Sequence, residues 1–461
     1  MKKLIILYCI SAWVGLGACS VYKSYERPDM PVVDSLYRQA AATSADTTSI
    51  ASLSWRELFT DPKLQALIET GLQNNTDLNI ARLKVTEAEA TLMTSRLAYL
   101  PSISFEPSGT LRSVDGNAMT KSYDIAASAS WEVDIFGKLT NAKRGAKAAL
   151  EQSEAYRQAV QTQLIATIAN SYYSLLMLDA QLDISERTAA NWGENVRAMK
   201  ALKAAGDATE LAVAQSEASK LSVDASIASL RQQIDQMENT LTALLGIAPQ
   251  KIDRTTIGEQ RFPTELAAGV PLQLLQRRPD IREAEESLRA AMADVGMAYA
   301  DRFPRLRFTV TGGVENDALR GLISSPFSYL SGQLAGPIFS FGAKRAKYRA
   351  AMAAYDASRL GYEQKVLTAF REVNDAIVAY RSASRSAELK RNLREASRKY
   401  VELTQLQYIS GDIRYIDFLD AERSFFDAQV EVNKAVLAKY LALVELYKAL
   451  GGGWQSEEKE A

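Results

Sequence analysis

A long run without proline lies between Pro107 and Pro249, and inside it Leu164-Ile165-Ala166-Thr167-Ile168-Ala169-Asn170-Ser171-Tyr172-Tyr173-Ser174-Leu175 sets Leu164, Ile168, Tyr172 and Leu175 at helical spacing, with Leu182 further on. Residues spaced in this way share one helix face. Ala, Leu, Gln, Glu, Lys and Arg dominate the surroundings, and all are good helix formers. The chain is again free of proline after Pro337, where Leu389, Leu393, Tyr400 and Leu403 repeat the coiled-coil pattern. About 70 residues separate Gly137 from Gly206, which at 1.5 Å per residue predicts a rod on the order of 100 Å. A rod of that length suits spanning a compartment better than filling a globular core.

Gly206 suits the left-handed position that closes one helix, and Asp207 with Glu210 resembles a capping box opening the next. Gly411 and Asp412 repeat that chemistry, with Asp412 as an N-cap. Gly246 and Gly451 suit the ends of the returning helices. The two runs therefore read as helical hairpins with tips at Gly206-Asp207 and Gly411-Asp412.

The hairpins belong to a tandem repeat. At an offset close to 205, Gly137 matches Gly342, Glu217 matches Glu422, and Leu245-Gly246 matches Leu450-Gly451. Toward the start the offset slips to 203, pairing Asp77 with Asp280 and Pro101 with Pro304. Each repeat reads as a helix, two strand-like runs and a long hairpin. The first helix is expected from about Asp61 to Tyr99; its counterpart starts at Pro279, where proline suits a first turn.

After Pro101, Ile103, Phe105 and Leu111 alternate with Ser104, Glu106, Thr110 and Arg112, and Tyr123 to Val133 alternates similarly, with Asp115-Gly116-Asn117 as the turn between. The second repeat sets Leu306, Phe308 and Val310 against Arg305, Arg307 and Thr309, then offers a weaker run from Phe327 to Leu334 beyond a loop containing Gly321. Runs of about 10 residues with one apolar face match transmembrane strands; soluble hairpins are the competing reading. Four strands leave two open edges, costly in hydrocarbon. Copies must then pool strands. Three copies give about twelve, while closure from about eight upward also admits two or four copies.

Lys2 and Lys3, the apolar stretch from Leu4 to Val14, and Leu16-Gly17-Ala18-Cys19 read as a lipoprotein signal sequence, cleaved before a cysteine that carries lipid. Cys19 then anchors the mature chain through its acyl chains. Ser20, in place of aspartate, favours the outer membrane. A plain signal sequence with an incidental cysteine is the alternative. Cys9 falls in the removed part, so no disulfide is expected. No later stretch approaches 18 uninterrupted apolar residues, so no transmembrane helix is expected after the signal.

Lys+Arg 54 against Asp+Glu 55 leaves no basic excess for nucleic acid. The chain has no histidine, which removes serine–histidine triads, HExxH sites and histidine general bases together. No catalytic residue, cofactor site or metal site is assigned, and the ten methionines form no cluster that would support a copper or silver role.

Leu274-Leu275-Gln276-Arg277-Arg278-Pro279-Asp280-Ile281 resembles a signature of outer-membrane efflux proteins of the TolC type, and Leu446 to Trp454 resembles the end of their lipid-anchored OprM-like branch. Ser410-Gly411-Asp412 through Asp420-Ala421-Glu422 resembles the family's periplasmic turn. The resemblance implies a mainly α fold with a transmembrane β part: a homotrimer sharing one β-barrel, four strands per copy, above a long α-helical barrel. It implies an outer-membrane location with the helical barrel in the periplasm. Expected partners are a periplasmic adaptor and an inner-membrane pump of the resistance-nodulation-division type, with passive efflux of small toxic compounds. On this reading the chain divides into a signal peptide (1–18), a lipidated segment (19–60), a first repeat (61–250), an equatorial linker (251–278), a second repeat (279–454) and a tail (455–461).

The resemblance places a closed aperture at the second tip, with Asp412, Arg414, Tyr415 and Asp417 as gate candidates. Ala212 stands in the first repeat where Asp417 stands in the second, which locates the gate chiefly on the second hairpin. Replacing Arg414 and Asp417 with alanine is accordingly expected to raise conductance. Arg277 and Arg278 could suggest an anion site; beside a helix start they more simply pair with carboxylates. A type I protein secretion duct and an adaptor lipoprotein are the alternative functions. An adaptor usually carries one hairpin, and this sequence has two.

Overall fold

The structure is a computed structural model describing residue 26 and residues 53–113, 119–262, 277–337 and 339–454. The signal sequence 1–18, Cys19, the turn at Asp115-Gly116-Asn117, residues 263–276 of the linker and the tail 455–461 lie outside the described residues.

In chain order the described elements are α1 (Trp55–Leu58), α2 (Pro62–Asn74), α3 (Thr76–Leu97), β1 (Ser102–Arg112), β2 (Thr120–Val133), α4 (Lys138–Ala205), α5 (Glu210–Leu244), α6 (Pro279–Ala300), β3 (Arg305–Asn316), a 3₁₀ turn (Leu319–Ser324), β4 (Pro326–Ala335), α7 (Ala343–Ile409) and α8 (Tyr415–Ala449). The 68 residues of α4 and 67 of α7 make helices of about 100 Å each. Their return arms, α5 and α8, have 35 residues apiece. Both halves thus carry a long outgoing helix and a short returning one.

The single helix expected from Asp61 to Tyr99 is two helices. Asn75 leaves helical geometry at φ −59, ψ 127, and its side chain accepts from the Leu78 amide at 2.9 Å, capping α3 from within the sequence. Asp61 does open α2, accepting from the Lys63 amide at 2.9 Å with Pro62 following. The downstream end falls at Leu97, before Tyr99.

The chain forms two compact units. One contains Leu83–Ala155 and Arg282–Gln364, and with them the sheet, antiparallel in the order β1-β2-β3-β4. Its central pair, β2 with β3, joins the two halves of the sequence, with Trp131 opposite Phe308 and Ala129 opposite Val310. Because neighbouring residues point to opposite faces, this register collects Ile103, Phe105, Ile125, Trp131, Phe308, Val310, Leu330 and Leu334 on one side. Ser104, Glu106, Ser128, Ser130, Arg307, Thr309 and Gln333 share the other. The apolar side is bare: Ile103 is 80% exposed and Leu330 70%. Among the described residues, β1 and β4 each pair on one side only.

The second unit holds Tyr156–Ile281 and Lys365–Ala461, with the segment ending at Arg82. Its core gathers Leu58, Phe59, Leu64 and Ile68 around Ile165, Ile168, Tyr172, Tyr173 and Leu175. The quoted stretch of α4 is therefore buried along its apolar face. Leu389, Leu393, Tyr400 and Leu403 differ, remaining 48–51% exposed on α7. The same periodicity is thus buried in one hairpin and left half exposed in the other.

Polar clasps tie the segment after α5 to this core. Tyr172 donates to Asp61 at 2.6 Å, joined by Thr255 at 2.5 Å and Gln260 at 2.7 Å. Burial pushes the Asp61 carboxyl up, but these bonds and the Lys63 amide outweigh it and hold the group below the usual carboxylate range. Arg254 bridges Asp179 and Glu238, both at 2.5 Å, so the linker begins as a fixed strap.

Candidate functional site: the tips of the two hairpins

All four hairpin arms end in the same way. Gly206, Gly246, Gly411 and Gly451 take φ values of +89°, +69°, +80° and +82°, a region closed to most side chains. At the first tip the Gly206 amide reaches Lys203 O at 3.1 Å and the Asp207 amide reaches Leu202 O at 2.9 Å. At the second, Gly411 reaches Tyr408 O at 3.0 Å and Asp412 reaches Gln407 O at 2.9 Å. These paired bonds form Schellman closures. Asp207 and Asp412 are therefore the residues that finish the outgoing helix through their backbones, and both side chains are exposed.

Neither aspartate caps the following helix, contrary to the sequence expectation. Thr209 is the N-cap of α5, its hydroxyl accepting from the Ala212 amide at 3.2 Å. At the second tip Arg414 occupies the cap position and has no side-chain oxygen to offer. Asp417 supplies it from the first turn, accepting from the Arg414 amide at 3.2 Å and from its guanidinium at 3.3 and 3.4 Å. The Ala212–Asp417 difference between repeats thus has a local cause: Thr209 caps forward, Asp417 caps backward. Two gate candidates are engaged with each other in their own turn, where exposure limits the ion pair's contribution to under about 1 kcal/mol.

Tyr415 joins the hairpins. Its hydroxyl donates to Asn195 Oδ1 on α4 at 2.8 Å and lies 2.6 Å from Ser216 Oγ on α5. Its ring sits in an aromatic group with Tyr408 at 5.5 Å and Phe418 at 6.3 Å, and Tyr408 stacks on Phe418 at 10°. Beneath it Trp192, Val223 and Leu419 form a small core spanning both hairpins. Burial raises the Tyr415 phenol, against the opposing effect of its bonds to Ser216 and Asn195. Asn195 and Ser216 were not singled out by the sequence, since nothing local distinguishes them from other polar residues on an amphipathic helix.

Lys200 of α4 also pairs with Glu217 of α5 at 2.8 Å. Glu422, which matches Glu217 in the repeat, is half-buried, and burial raises its carboxyl. Among the described residues no group of three or more His, Cys, Asp or Glu side chains is arranged to hold a metal ion.

The signature residues lie elsewhere, at the start of α6. Arg278 is buried and grips Asp280 through two bonds at 3.0 and 2.8 Å, reaches Glu372 at 2.6 Å and donates to the Ala449 carbonyl at 2.9 Å. Arg277 is exposed, and Pro279 is buried at the first helical position. Burial pushes Asp280 up, yet Arg278 and Lys365 leave it below the usual carboxylate range. The carboxylate pairing expected of this pair of arginines is therefore made by Arg278.

Comparison with known proteins agrees with this architecture. The family described as "Outer membrane efflux protein" matches residues 67–247 and 270–452. The probable efflux pump outer membrane protein TtgC of Pseudomonas putida is 30% identical, over 100% of this chain and 98% of its own. The probable outer membrane lipoprotein SilC of Salmonella typhimurium is 30% identical over 98% of this chain and 100% of its own. The open-state structure of the Neisseria gonorrhoeae MtrE outer membrane channel superposes with a TM-score of 0.86 at 29% identity, covering 95% of this chain and 99% of that one. With its hairpins, sheet and signature residues in place, the chain belongs to the outer membrane efflux protein family.

Proposed function

We propose that this protein is the outer-membrane duct of an efflux system, a homotrimer anchored by lipid on Cys19 that passively conducts small toxic compounds delivered by a periplasmic adaptor and a resistance-nodulation-division pump. The observation that carries the reading is the sheet. It has one apolar face, one polar face and two unpaired edges, and its strands are 10 to 14 residues long. In a bilayer such a sheet must close with others so that every backbone group is paired, apolar side outward and polar side toward water. Three copies give a barrel of about twelve strands. SilC, a relative named as a lipoprotein, supports the anchor at Cys19 and the place in the OprM-like branch; TtgC, named for an efflux pump, supports the direction of transport.

Closure of the duct is assigned to the second tip, with Asp412, Arg414 and Asp417 shaping the turn and Tyr415 holding the hairpins together. The described residues contain no helix long and apolar enough to cross a membrane. The test is reconstitution of the full-length protein in planar bilayers, with mass measurement of the detergent-extracted complex. Trimers that conduct ions are expected. Replacing Phe105 with arginine on the apolar face should cost about 2–4 kcal/mol of membrane stability, whereas arginine at Ser104 should insert normally; equal behaviour of the two would sink the barrel assignment.

A further inference from the structure

We propose that Arg278 is the positioning residue of the gate hairpin, a pivot whose guanidinium holds both arms of the second hairpin at one level and so sets how readily the tip opens. This rests on the duct reading above. Three contacts converge on the group: Asp280 beside it on α6, Glu372 on the outgoing α7, and the Ala449 carbonyl that ends the returning α8. The planar fork of arginine can engage such partners at once, where an ammonium would act as a point charge. Glycine at 451 is required here, because a Cβ would lie 3.1 Å from Arg278 Cγ and the backbone is at φ +82°.

The first repeat lacks this device at the matching position. Asn75 stands where Arg278 stands, and among the described residues its side chain bonds the last carbonyl of the return arm, Leu244 O at 2.9 Å, and the Leu78 amide. Thr167 stands where Glu372 stands, and its hydroxyl turns back to the Gln163 carbonyl of its own helix at 2.8 Å. The outgoing arm of the first hairpin is therefore not held by its matching residue. The arms of the first hairpin are joined instead by Arg254 of the strap that follows α5, through Asp179 and Glu238, so the second hairpin, which carries Tyr415, differs in being held from the residue that opens the next helix.

Leverage makes a small change at this level large at the tip. From Glu372 to Ile409, α7 runs on for about 55 Å, and α8 for about 50 Å from Ala449 back to Tyr415. A rotation of about 5° at the pivot moves the tip by about 5 Å. In the state where Tyr415 is bonded to Asn195, Glu372 lies 2.6 Å from Arg278. The charged contact and the fastened tip occur together in this structure, and on the proposal the contact loosens as the tip unfastens, so that weakening it favours opening.

The experiment compares Glu372→Gln, Glu372→Asp and Asn75→Ala in the full-length assembly, reading the open-to-closed ratio of single channels in bilayers and the thermal unfolding midpoint. Glu372→Gln should raise the ratio about tenfold, the size expected when one charge-assisted bond is weakened, with the midpoint within about 2 °C of wild type. Glu372→Asp should restore part of the closed population. Asn75→Ala should lower the midpoint and leave the ratio unchanged. A wild-type ratio in Glu372→Gln, or equal shifts in Glu372→Gln and Asn75→Ala, would overturn the pivot. A wild-type assembly that never conducts would remove the duct reading, and the pivot with it.

Discussion

Arg278 and Asn75 occupy matching places in the two halves of the chain, and each donates at 2.9 Å to the last carbonyl of a returning helix, Ala449 and Leu244 respectively. A helix end leaves carbonyls without partners inside the helix, and the residue opening the next helix supplies a donor in both halves. Asn75 additionally caps α3 through the Leu78 amide. Asn75→Ala loses both bonds and should destabilise the protein by about 1–2 kcal/mol, measured by denaturant unfolding in detergent. A loss below about 0.5 kcal/mol would leave no role for this junction.

Tyr415 links three helices, whereas Arg414 and Asp417 serve their own turn. Tyr415→Phe keeps the ring against Tyr408 and Phe418 but removes the bonds to Asn195 and Ser216. It should raise single-channel open probability several-fold, consistent with loss of about 1 kcal/mol per bond. Replacing Arg414 and Asp417 together with alanine should act more weakly, by fraying the first turn of α8. If the double variant opens the channel as far as Tyr415→Phe, the closure does not depend on Tyr415.

Two of the positive-φ glycines separate backbone strain from crowding. At Gly206 an added Cβ meets nothing within 4 Å, so Gly206→Ala should cost only the left-handed backbone, about 1–2 kcal/mol. At Gly246 the same Cβ would lie 2.6 Å from the Asn74 carbonyl oxygen, adding a backbone clash to similar strain. Gly246→Ala should therefore destabilise by at least about 3 kcal/mol. Equal unfolding midpoints for the two variants would contradict this difference.

Two carboxylates predict opposite pH responses. Glu286 is pushed up to about 7 by burial and by Glu151 nearby, despite Arg289 at 2.8 Å. Between the unfolded carboxyl range near 4 and about 7 the native state binds more protons at this site, so its contribution to stability falls as pH rises through that window. Glu286→Gln should therefore gain up to about 2 kcal/mol over wild type at pH 8 and little at pH 4. Asp61 is held low, so the native state binds fewer protons there; its contribution is present above about pH 4 and lost as pH falls through its folded value. Asp61→Asn should flatten the acid side of the stability curve. Unfolding followed against pH in all three proteins distinguishes the two signs.

Much of the architecture was legible because it follows from local periodicity. Proline-free runs with helical spacing gave the long arms, period-two alternation gave the four strands, and glycine at the arm ends anticipated each left-handed closure. The register of repeats, with Gly137 matching Gly342 and Leu245-Gly246 matching Leu450-Gly451, was readable for the same reason. Tertiary structure decided what depends on residues distant in the chain. The cap of α5 is a local exception, falling at Thr209 rather than Asp207, whose amide finishes the preceding helix. A continuous helical pattern from Asp61 onward was broken at Asn75 by a carbonyl 169 residues away. Leu389 and Leu393 carry the same spacing as Ile168 and Tyr172, yet they stay about half exposed while the latter pair is fully buried in the core. Periodicity states which face of a helix is apolar, and the contacts made across the fold determine what that face meets. For the same reason Tyr415 could be named from its place in the turn, while Asn195 and Ser216 became visible only once three helices had brought them within hydrogen-bond distance of its hydroxyl.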